Sequence, residues 1–177
     1  MRILGIDPGY GITGFGVIEA DRGKQSLITC GAITTPAGMD FSARLEIIYE
    51  DMRKLLEVAK PDAVAIEELF FGQNVTTGIG VAQSRGVILL AIRQAGLEVF
   101  SYKPMQVKQA VVGYGKADKK QVISMVTLML GLKEPPKPDD TADAIAIAIC
   151  HAHTGASGIG KYYNKPTAIG GIQKGQK

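Results

Sequence analysis

The chain has little of what would staple a small fold or hold a soft metal. Its 177 residues include two cysteines, Cys30 and Cys150, and two histidines, His151 and His153. No paired Cys/His spacing exists, which argues against a zinc site. Both cysteines sit inside apolar patterns and read as buried thiols of a reducing compartment. The histidines, two apart on one helix, point in different directions, so they form no metal pair; His151, at the edge of the apolar side, reads as structural. No apolar run approaches the roughly 18 residues a membrane helix needs. The opening Met-Arg-Ile-Leu-Gly-Ile-Asp turns acidic and glycine-rich too soon for a signal peptide. The expectation is a cytoplasmic protein without membrane association. From Thr154 onward there is no acid, only Lys161, Lys165, Lys174 and Lys177, although the whole chain carries a net charge of just +3. A nearly neutral body with a basic tail fits a polyanionic partner or simply a soluble tail; charge alone does not separate the two.

What is present suffices for one core. The 46% hydrophobic and 21% charged fractions are those of an ordinary globular domain. Residues 2–7, 13–20 and about 26–34 read as strands joined by the turn-rich links Asp-Pro-Gly-Tyr-Gly-Ile and Asp-Arg-Gly-Lys-Gln, which predicts an antiparallel meander. A helix over about 40–60 follows, capped by Asp40 and stopped by Pro61. Phe41, Leu45, Ile48, Met52, Leu55 and Ala59 form its apolar face. A strand over 62–68, a helix over 75–95 with Asn74 as cap, and a strand over 96–102 come next. Short helices are predicted from Pro104 to about Val112, and from an Asp118/Gln121 capping pair to about Leu130. A last helix runs from about Asp140 to His153. The pattern predicts an α/β domain over 1–154, built on one mixed five-stranded sheet with helices on both faces. Residues 155–177, glycine-rich and without periodicity, read as a disordered basic tail.

Acidic residues end several of these elements. Asp7 closes the first strand and runs into a glycine-rich turn, Gly5 to Gly14. Taken alone, this is a phosphate cradle, a metal site or an ordinary turn. Glu67 ends the strand Ala-Val-Ala-Ile, where a buried glutamate is a poor choice. Its neighbour Glu68 points to the opposite face and reads as solvated. Asp140 and Asp143, at i and i+3, share one side of the last helix's first turn. Asp140 also reads as a helix cap and Asp143 as a first-turn acid favoured by the helix dipole. Beyond them the helix is almost wholly apolar, so it must pack on something. Laid on the sheet, it would bring four carboxylates from three segments together. Such a cluster is costly unless a divalent cation occupies it, and Mg²⁺ prefers oxygen ligands. Two such ions about 3.5–4 Å apart would activate water and stabilise the leaving oxygen of a phosphodiester.

The segments GIDPGYGITGFGVIE, AIEELFF, AQSRGV, PMQVKQAVVGYGKADKKQV and DDTADAIAIAICHAH together resemble the RuvC-type Holliday-junction resolvases, in order and across nearly the whole chain to His153. The resemblance implies an RNase H-like fold, a homodimer, and endonuclease action on four-way junction DNA in recombination and repair. It implies dependence on Mg²⁺, two ions per subunit, with Mn²⁺ as a substitute. It places the four catalytic and metal-binding acids at Asp7, Glu67, Asp140 and Asp143. Some family members carry histidine at the third of these, so the role of Asp140 is the one left open; Asp139 beside it would point elsewhere and serve as the cap. Metal-assisted in-line attack would leave 5′-phosphate and 3′-hydroxyl ends, and dimer symmetry would pair the nicks. The RuvA–RuvB branch-migration complex is the implied partner.

Lys103, Lys108, Lys116, Lys119 and Lys120 lie in one stretch against a single acid, Asp118, a basic surface suited to phosphates. The resemblance assigns DNA-binding roles to Lys108 and Lys119, and to Phe70 as a ring stacking on an unpaired base; Phe71 reads as core. The small-residue helix at 75–95 would pair through its N-terminal half with a second copy, or else be buried within one. A sugar-kinase-like or actin-like ATPase shares the opening motif but needs a second phosphate loop and a second domain, for which this chain has no room. A non-catalytic junction-binding module would gain nothing from four acids facing DNA.

Overall fold

The structure, a computed structural model, describes residues 1–69 and 75–155. Phe70, Phe71, Asn74 and the tail from Ala156, each given a role above, lie outside the described residues.

Among the described residues ten elements follow in order: β1 (Arg2–Asp7), β2 (Ile12–Asp21), β3 (Lys24–Thr34), α1 (Phe41–Ala59), β4 (Ala63–Glu67), α2 (Val75–Gln94), β5 (Val99–Tyr102), α3 (Pro104–Val112), α4 (Lys119–Met129) and α5 (Asp139–Gly155). The sheet order is β3-β2-β1-β4-β5. The first three strands are antiparallel, and β4 and β5 join parallel to β1 and β4. The mixed sheet expected from the pattern is the one observed.

Side-chain alternation divides the core in two. Ile3, Ile18 and Ala65 pack with Ile145, Ile147 and Ile149 of α5 and with α3 and α4. Leu4, Ile6, Val17, Val64 and Ile66 pack with Ile48, Met52 and Leu56 of α1 and Ile88 and Ile92 of α2. Each fully buried isoleucine of α5 contributes about 1.5–3 kcal/mol, enough to fix a helix that has almost no polar face. Asp40 caps α1 by accepting from the Ser42 and Ala43 amides, and Asp118 and Gln121 form the capping box of α4.

Three expectations shift. Ile48, Met52 and Ala59 of the face expected for α1 are buried, but Leu56 and Arg44 are buried where Leu55 and Leu45 are only partly covered, which turns the inward face slightly. The strand expected over 96–102 begins only at Val99. Asp139 is the first residue of α5 rather than its cap. His151, fully covered, keeps its structural reading: its Nδ1 lies 2.7 Å from the Tyr102 hydroxyl, with Phe100 against the ring.

Close backbone approach explains two glycines. A β-carbon on Gly5 would lie 2.0 Å from the Ala144 carbonyl oxygen, and one on Gly14 would lie 2.1 Å from that of Asp140. With alanines at 144 and 148 on the facing side, α5 sits directly on β1 and β2.

A carboxylate cluster at one end of the sheet

Parity in the strands sets two of the acids. Asp7 follows Ile3 and Gly5 on the α5 side of β1, and Glu67 follows Ala65 on the α5 side of the neighbouring parallel strand. Both therefore stand at the same end of the sheet and on the same face. Asp7 pairs in register with Gly14, and the Asp140 backbone rests on that glycine. The first turn of α5 is thus brought over the ends of β1 and β2, with Asp143 one helical turn on. All four carboxylates are half-buried.

Their electrostatics are mutual. Burial raises the Asp7 carboxyl to about 8, and the charges of Glu67, Asp143 and Asp140 push the same way, while Lys119 opposes. Burial raises Glu67 to about 7, with Asp143 adding and Lys108 opposing. Asp143 is raised by burial despite its ion pair with Lys119 at 3.1 Å, because Asp140 and Asp139 add repulsion. Burial would lower the Lys119 ammonium, but Asp143, Asp140 and Asp139 outweigh it and hold it above its ordinary value. Lys119 also reaches Asp139 at 3.9 Å, so the residue expected to point elsewhere belongs to the same rim.

The structure brings together Asp7, Glu67, Asp140, Asp143, Lys108 and Lys119. An all-oxygen donor set in which Asp7, Glu67 and Asp143 stay raised despite the nearby lysines suits a hard divalent ion such as Mg²⁺ or Mn²⁺. As they stand, no three of the described acids, histidines or cysteines lie close enough together to cage an ion. The donor chemistry fits a metal, while Lys119 is the cation paired with Asp143 here.

Two residues behind the site escaped the sequence reading. Ser84 Oγ donates to the Gly9 carbonyl at 3.0 Å, and Arg85 Nε donates to the Glu67 carbonyl at 3.1 Å. Their only signal was the Ala-Gln-Ser-Arg-Gly-Val segment, which carried resemblance but no assigned role. Glu68 is half-buried rather than fully solvated. Its charge opposes the burial that lowers the Arg85 guanidinium.

A mixed sheet of this order, acids at the adjoining ends of two parallel strands and a helix laid across them define an RNase H-like α/β protein. The family model described as Crossover junction endodeoxyribonuclease RuvC matches residues 3–151. The RuvC of Chloroflexus aggregans is 57% identical over 154 residues, spanning 87% of this chain and 94% of that one. The Thermus thermophilus RuvC structure has a TM-score of 0.82 at 38% identity, covering 90% of this chain and 98% of its own. The T. thermophilus RuvC in complex with Holliday junction substrate has a TM-score of 0.82 at 36% identity, with the same coverage. The chain belongs to the RuvC family of crossover junction endodeoxyribonucleases. Among the described residues no helix is long and apolar enough to cross a membrane.

Proposed function

We propose that this chain is a cytoplasmic, homodimeric resolvase that cuts four-way DNA junctions by paired symmetric nicks in recombination and repair, using two Mg²⁺ ions per subunit. The observation that carries the site assignment is the clustering of Asp7, Glu67, Asp140 and Asp143, with two of them pushed to about 8 and about 7 and two lysines on the rim. Asp7, Glu67 and Asp143 would hold the metals, and Asp140 would hold metal or orient water. When bound, the metals supply water activation and stabilisation of the leaving oxygen. Lys108 and Lys119 would offset phosphate repulsion at the rim, with Lys119 exchanging Asp143 for a phosphate oxygen as DNA arrives. Hydrolysis would leave 5′-phosphate and 3′-hydroxyl ends. The RuvA–RuvB branch-migration complex would deliver the junction.

A synthetic four-way junction tests this reading. Symmetric nicks that need Mg²⁺ and vanish in EDTA are expected; ATP hydrolysis without DNA would favour the kinase-like rival instead. Phe70→Ala should weaken junction resolution while leaving Mn²⁺ binding unchanged, because base stacking contributes about 1–3 kcal/mol per base. Equal loss of both would remove the stacking role.

The dimer reading is supported by α2, where Ile79 and Leu90 are about half exposed and share a stripe with Gln83 and Gly86. Sedimentation equilibrium should give a dimer for the wild type and a monomer for Ile79→Glu. A wild type that stays monomeric at high micromolar concentration would refute it.

A further inference from the structure

Helix α2 touches the backbone behind both strand-borne acids at once. Ser84 is fully buried, and its hydroxyl donates to the Gly9 carbonyl, two residues past Asp7. That carbonyl also receives Thr13 Oγ1 at 2.6 Å, so two hydroxyls fix the turn that leaves β1. Arg85, the next residue, spans two strands. Its Nε donates to the Glu67 carbonyl, and its Nη2 donates to Ser101 Oγ of β5 at 3.0 Å. Tethering the backbone on both sides fixes where the two half-buried carboxylates stand relative to each other. A guanidinium suits the task, since its planar fork offers donors in fixed directions to two acceptors, which a lysine ammonium on a flexible stem does not.

We propose that Ser84 and Arg85 act as a latch: positioning residues through which α2 holds the ends of β1 and β4 so that Asp7 and Glu67 present a metal-ready spacing. This rests on the proposal that those two acids bind metal. It assigns Arg85 to metal affinity rather than to DNA contact or to bulk stability. Saturating metal therefore recovers what the latch loses.

The test uses the full-length protein. Mn²⁺ binding is measured by electron paramagnetic resonance without DNA, junction affinity in EDTA, and cleavage against Mg²⁺ concentration. Arg85→Lys keeps the charge but not the fork. It should weaken Mn²⁺ binding and raise the Mg²⁺ concentration for half-maximal cleavage by about 10–100-fold, the range for residues that orient metal ligands. Junction affinity in EDTA should not change, and cleavage at saturating Mg²⁺ should return to within a few-fold of wild type. Ser84→Ala, a smaller change, should move the same two metal readouts by about tenfold. Unaltered Mn²⁺ affinity in both variants, with only a lowered melting temperature, would overturn the latch. If Asp7→Asn binds Mn²⁺ as tightly as wild type, it is the metal-ligand reading that fails.

Discussion

Asp7→Asn should abolish junction cleavage while making the metal-free protein more stable at pH 8. The activity loss is expected at about 10³-fold or more, the scale seen when a group acting at the reacting centre is removed. Binding to the junction in EDTA should persist, since Lys108 and Lys119, the lysines proposed to meet phosphates, are untouched. The stability gain follows from linkage. Asp7 titrates near 8 in the folded chain against an ordinary 3.8, and Glu67 near 7 against 4.5. Both bind a proton more tightly when folded. Their contribution to stability is therefore complete below about pH 4 and is lost as pH rises through about 7 to 8, on the order of several kcal/mol. Melting temperatures in EDTA should fall between pH 5 and pH 8 for wild type, and fall less for Asp7→Asn. Added Mg²⁺ should reverse the wild-type loss, because binding to the folded state stabilises it. Cleavage at limiting Mg²⁺ should rise across the same pH window. A fully active Asp7→Asn enzyme would falsify the assignment of the site.

Gly14→Val should be strongly disruptive although it removes no acid. Its β-carbon would meet the Asp140 carbonyl oxygen at 2.1 Å and the Asp140 carbonyl carbon at 2.5 Å, and backbone cannot swing aside as a side-chain tip can. Either α5 lifts from β2 or the strand bends. We expect a loss of about 3 kcal/mol, read from urea unfolding. Cleavage should collapse further than that stability loss alone predicts, because the displaced turn carries Asp140 and Asp143. Gly38→Ala is the matched control: nothing lies within 4 Å of its β-carbon position, and it should leave both quantities near wild type. Equal tolerance at the two positions would mean that the helix does not depend on the gap.

The legible part of this protein was the part governed by periodicity. Alternation in Ile3-Leu4-Gly5-Ile6-Asp7 and Ala63-Val64-Ala65-Ile66-Glu67 already set both acids on one face of the sheet, provided the strands were parallel neighbours. The apolar run from Ala144 to Cys150 announced a helix with no polar face to spare. What escaped were contacts whose acceptors are backbone carbonyls. Nothing in the side chains at 9 or 67 announces that Ser84 and Arg85 will bond there, because every residue offers a carbonyl. Gly5 and Gly14 were likewise visible only as part of a turn-rich motif; their use as a bed for α5 depends on which helix crosses above. The rotation of α1 toward Arg44 and Leu56 has the same origin. Phe41–Ala59 offers apolar residues over a broad arc, and docking against β3 and α2 selects which of them go inward.

Order of synthesis gives the α5 placement a further meaning. Asp7 is made before Glu67, and Asp140 and Asp143 follow only after β1 to β5. A chain still being translated, or clipped before its last helix, carries half of the proposed acids and an uncovered groove over Gly5 and Gly14. On the proposed assignment, competence to cut DNA would arrive only when α5 docks, and a copy lacking that helix would lack half of its metal-binding acids.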